Sequence, residues 1–167
     1  MRSAVLALCL LAAGVASGDP LADCVVPVPQ ALRDEALRLT NAWRAQARDC
    51  GERGHFAATR PLVWGEALVA VADGQARWLA HDATLSHLGP RGQSLGERAR
   101  ESGYRFGRIT ENLAHGQIDV ESVVAQWGAS DHHCANLMDD RVREFALVCR
   151  AAVDARPLWV MVLARPR

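Results

Sequence analysis

Apolar residues at Leu32, Ala36, Leu39, Trp43 and Ala47 recur at steps that place them on one helical face, which predicts a helix from about Ala31 to Arg48. From Glu66 to Ala80, Ala67, Leu68, Val71, Ala72, Trp78 and Leu79 cover most of a helix's circumference, so this second helix is expected to be largely buried. Ser94-Leu95-Gly96-Glu97 has the form of a capping box, with Gly103 as a stop signal, and predicts a short third helix. Asp119 can cap a fourth helix, whose Val120, Val123, Val124 and Trp127 share a face, and Ser130 can cap a short fifth. The chain closes with two apolar runs, Phe145 to Val153 and Leu158 to Ala164, separated by Asp154-Ala155-Arg156-Pro157, the pattern of an antiparallel hairpin. Helices outnumber strands, and the expected class is α+β.

The first 18 residues read differently. Met-Arg precedes an apolar run from Ala4 to Val15 and the small residues Ala16-Ser17-Gly18, the layout of a secretory signal peptide. The run is short for a bilayer and no second run of about 20 apolar residues follows, so no transmembrane anchor is expected. Residues 19–30, punctuated by Pro20, Pro27 and Pro29, form an N-terminal extension, and residues 31–167 a single domain. The expected location is outside the cytoplasm, either secreted or periplasmic.

The sequence carries 19 basic residues, all arginine, against 19 acidic ones. That balance gives no electrostatic case for nucleic acid. Beyond the leader there are four cysteines, Cys24, Cys50, Cys134 and Cys149, an even count that in an exported chain predicts two disulfides. Four cysteines allow three pairings. Closure of the shorter loops favours Cys24 with Cys50 and Cys134 with Cys149. No Cys-x-x-Cys pair, nucleophile elbow, phosphate-cradling loop or His-Glu-x-x-His helix is present.

The order of several motifs resembles the CAP superfamily of cysteine-rich secretory proteins, antigen 5 and pathogenesis-related proteins, in particular its bacterial exported, SCP-like branch. The residues that carry the resemblance are Leu39-Thr40-Asn41-Ala42-Trp43-Arg44, Pro61-Leu62-Val63-Trp64, Ser86-His87-Leu88-Gly89-Pro90, Gly103-Tyr104, Glu111-Asn112-Leu113-Ala114, Trp127 and Ser130-x-x-His133-Cys134-Ala135-Asn136-Leu137-Met138. The resemblance implies an α-β-α sandwich with a central, mainly antiparallel sheet. It also implies a cleft of two histidines and one or two glutamates that holds zinc in some members.

Carried over by position, the metal-site residues are His87, His133 and Glu111, with Asp131 and His132 as further candidates. Ser130 stands where animal and plant members have a second glutamate. Two imidazoles and a carboxylate suit weak, reversible zinc binding, since structural zinc normally takes four protein ligands and catalytic zinc three. The first functional reading is therefore a non-catalytic binding module for a protein, peptide or lipid ligand. A metal-assisted hydrolase of peptidase type, with Glu111 as general base, is the alternative from another class, and lipid or sterol binding is a third. His55, His81 and His115 match no site position, and the tryptophans at 43, 64, 78, 127 and 159 fit core faces.

Overall fold

A computed structural model describes residues 19, 21–22 and 24–167; the expected leader lies outside the described residues. The element order is α1 (Gln30–Arg44), β1 (Arg48–Asp49), a 3-10 turn (Gly51–Arg53), β2 (His55–Phe56), β3 (Val63–Trp64), α2 (Glu66–Asp82), α3 (Leu95–Glu101), β4 (Phe106–His115), α4 (Val120–Gly128), α5 (Asp131–Met138), β5 (Glu144–Ala151) and β6 (Pro157–Pro166). The main sheet has the order β3-β5-β6-β4; β3 lies parallel to β5 and the other pairings are antiparallel. On one side α2 packs across β5 and β6, with α3 beside it. On the other, α1, α4 and α5 pack against one another and meet the sheet at β3 and β4. This is the expected α+β sandwich.

The closing hairpin is the spine of the core. Phe145 through Cys149 and Leu158 through Ala164 are all fully buried, the near-continuous apolar run of strands covered on both faces. The predicted capping box forms between Ser94 and Glu97 on α3, and Asp119 caps α4 as expected, there closing a reciprocal box with Ser122. Ser130 does sit at the N-cap of α5, but its side chain makes no capping bond.

Two expectations are corrected. The first helix ends at Arg44 rather than Arg48, where the Arg44 carbonyl accepts the Thr59 backbone N–H at 2.9 Å in place of the next helical turn, while the fully buried guanidinium of Arg44 bonds the carbonyls of Arg60, Leu137 and Asp139. Arg48 then pairs with Phe56 in the β1–β2 ribbon.

The disulfides join Cys24 to Cys149 and Cys50 to Cys134, not the local pairs. Loop length governs only how much a bond restricts the unfolded chain; which cysteines meet is set by packing. Cys149 is inside central β5 and is reached by the N-terminal segment, while Cys134 lies on the buried face of α5 against the 3-10 turn that follows Cys50. That turn fits α5 closely. Gly51 has φ +56°, and a Cβ there would lie 2.4 Å from both carboxylate oxygens of Asp131.

A strand with no period-2 signal in the sequence, β4, completes the sheet at its edge, pairing only with β6. Its carbonyls at Glu111 and Leu113, two residues apart and so pointing the same way, accept hydrogen bonds from Asn136 of α5 and Trp127 of α4.

Candidate functional site

The candidate site is built where β4, the loop after α2 and the first turn of α5 converge. Glu111 is the centre of it, with a side chain only 1% exposed. Both of its oxygens are taken: Oε1 accepts from His87 Nδ1 at 2.9 Å and Oε2 from Arg98 Nη2 at 2.9 Å. A buried carboxylate is tolerable only when paired in this way. In a neutral imidazole, donation from Nδ1 to a carboxylate leaves the lone pair on Nε2, and the His87 ring is 61% exposed.

The His87 loop is not left to chance. Gln75, buried on α2, donates to the carbonyls of both Ser86 and Leu88, at 2.6 and 3.1 Å, holding the segment from either side of the histidine. Arg98 of α3 also reaches the His87 carbonyl at 3.3 Å. Its path runs past Gly89, where a Cβ would stand 2.9 Å from Arg98 Cδ.

His133 is fixed by its backbone. Asn112 donates to the His133 carbonyl at 3.1 Å, and Asn136 donates to Asn112 Oδ1 at 2.8 Å and to the Glu111 carbonyl at 3.3 Å. The two asparagines thus lock α5 onto β4 beside Glu111. Burial, with the neighbouring His87 and His132 adding to it, holds the His133 imidazole below its ordinary value, so the ring is neutral at neutral pH.

The structure therefore pairs His87 with Glu111 and seats the turn of α5 that carries His133 beside them. Of the two further candidates, Asp131 accepts the Glu52 backbone N–H at 2.9 Å, and His132 is exposed next to His133. Among the described residues no three His, Cys, Asp or Glu side chains are grouped to hold a metal ion. His81 and His115 pair with Asp82 and Asp154, and His55 is exposed. Arg98, Gln75 and the two asparagines are the site residues that pattern reading missed. A signal for Arg98 did exist, since Leu95, Arg98, Ala99 and Ser102 share one helical face and Ala99 is fully buried.

A comparison with the curated proteins finds no match. Solved structures do match. An extracellular protein containing an SCP domain from Bacillus anthracis aligns at TM-score 0.65 and 20% identity over 81% of this chain and 40% of that one. An outer surface protein from Borrelia burgdorferi aligns at TM-score 0.65 and 19% identity over 83% of this chain and 92% of that one. NaASP2, solved with Zn2+, aligns at TM-score 0.54 and 12% identity over 83% of this chain and 85% of that one. These likenesses speak to the fold. The sequence profile described as "Cysteine-rich secretory protein family" matches residues 37–152, a stretch that contains His87, Glu111 and His133 together, and the chain belongs to that CAP family.

Proposed function

We propose that the chain is an exported binding module whose cleft takes a divalent cation, zinc in the first instance, through His87 and His133. The observation that carries this reading is the His87–Glu111 pair, in which a buried carboxylate orients an exposed imidazole and leaves its outer nitrogen available, the arrangement that supports histidine ligands in metal sites. Glu111 acts as the orienting group rather than as a ligand, since Arg98 and His87 occupy both of its oxygens. Two imidazoles with the remaining positions open give weak and reversible binding. A cation held there can bridge to a ligand's carboxylate or imidazole. The two disulfides fit a chain that works in an oxidising compartment.

The hydrolase alternative is disfavoured by the same geometry. A general base needs a carboxylate free to take a proton, and both oxygens of Glu111 are engaged, one by a guanidinium and one by an imidazole. Asp131, the nearest substitute for the second glutamate, is bonded to the Glu52 backbone.

Zinc titration by calorimetry tests the reading. Weak binding is expected in the wild type, with most of the affinity lost in both His87→Ala and His133→Ala and a loss of about tenfold in Glu111→Gln. Unchanged affinity in the two histidine variants would sink it.

A further inference from the structure

A cavity of about 880 Å3 lies outside the His/Glu cleft, farther along α5. One wall is β2 with the segment that follows it, the other is the end of α5 with Arg108 of β4. The Cys50–Cys134 bond ties the two walls together. The walls hold no proposed zinc ligand and share one residue with the candidate site, Asn136, which also ties α5 to β4 beside Glu111.

The charge of this groove is unbalanced. Arg53, Arg60, Arg108 and Arg141 line it, against Asp139 and Asp140. Asp139 is already claimed by both Arg108, at 2.7 Å, and Arg141, at 2.8 Å. Arg53 and Arg60 are exposed, and their side chains have no hydrogen bond or ion pair among the described residues. Behind the wall the fully buried Arg44 adds a further cation, neutralised by no carboxylate contact and bonded mainly to backbone carbonyls. In a chain whose formal net charge is zero, this is a local excess of positive charge facing a cavity.

The backbone of the wall points to the form of the ligand. Ala57 and Ala58 lie outside any helix or strand, and their backbone groups make no hydrogen bond among the described residues. A free main-chain stretch beside arginines suits an extended peptide, which offers its own backbone for pairing and projects alternate side chains toward one face. Phe56, half-buried in the same wall, supplies an apolar surface for the peptide's stem.

We propose that this groove binds an extended acidic segment of a partner protein, with Arg53 and Arg60 as the residues that pair with its carboxylates. A fluorescein-labelled ten-residue peptide of alternating aspartate and serine is the probe, read by fluorescence anisotropy on the full chain with EDTA present so that the histidine cleft takes no part. Binding is expected, with at least tenfold loss in the Arg53→Ala/Arg60→Ala double variant and under twofold change in Arg105→Ala, an exposed arginine outside the groove. Both groove residues are unpartnered, so the double variant keeps its fold, which circular dichroism checks. The proposal is overturned if an asparagine–serine peptide binds as tightly, or if the double variant binds like the wild type. It is equally overturned if a heparin oligosaccharide binds through Arg53 and Arg60 while the acidic peptide does not.

Discussion

Two strands flank β6 in one sheet, and they could hardly be more different. On one side β5 presents Phe145, Ala146, Leu147, Val148 and Cys149, all fully buried and apolar. On the other β4 presents Thr110, Glu111 and Asn112, just as hidden from water but polar. The half of the sheet toward β5 is stabilised by burial of apolar area, which needs no particular orientation. The half toward β4 depends on the hydrogen bonds and ion pairs of Glu111 and Asn112, because a buried polar group left without a partner is costly. The lesson is a division of labour within a single sheet: one flank holds the domain together while the other holds chemistry in place.

The largest expected effect comes from the apolar flank. Phe145→Ala opens a cavity beneath Trp64, whose ring meets Phe145 edge-on at 5.8 Å, and should lower stability by about 4 kcal/mol. Urea unfolding should show that loss while zinc affinity of the folded fraction is unchanged.

On the polar flank, Arg98→Leu strands the Glu111 charge and should cost about 3 kcal/mol. Most of that should return in Arg98→Leu/Glu111→Gln, where the charge is gone. If the double variant is no more stable than the single one, the cost lies in lost packing and the contrast between the flanks narrows.

The smallest effect is a pH dependence. Burial pushes Asp139 upward, but bonds from Arg141 and Arg108 outweigh it and hold the carboxyl down at about 2, against an ordinary 3.8. A depressed acid stabilises the fold above the unfolded value and loses that contribution as pH falls through the folded one. Stability should therefore drop by about 2 kcal/mol between roughly pH 4 and pH 2, and Asp139→Asn should flatten that limb in acid titrations followed by tryptophan fluorescence.

What could be read from the sequence divides along the same line. The hairpin of β5 and β6 was visible because apolar runs announce burial, and the helices because Ser94, Glu97 and Asp119 mark their starts. Strand β4 was not, since Thr110-Glu111-Asn112 reads as a polar loop unless its partners are known. Its partners are tertiary: His87 lies 24 residues before Glu111 and Asn136 lies 24 after Asn112. Spacing alone cannot reveal such meetings, and the resemblance to a family supplied His87, Glu111 and His133. The disulfides failed for the same reason, because Cys24 and Cys149 are brought together by the fold across 125 residues of sequence.

The side chains that cover β4 have a further consequence wherever the protein meets copies of itself. An open sheet edge is a template on which another chain can add a strand, and long uncovered edges lead to fibres. Here Asn136 and Trp127 already occupy the Glu111 and Leu113 carbonyls, so a would-be incoming strand finds two of its anchoring points spoken for. Asn136 thereby serves twice, tying α5 to the candidate site and closing part of an otherwise open edge.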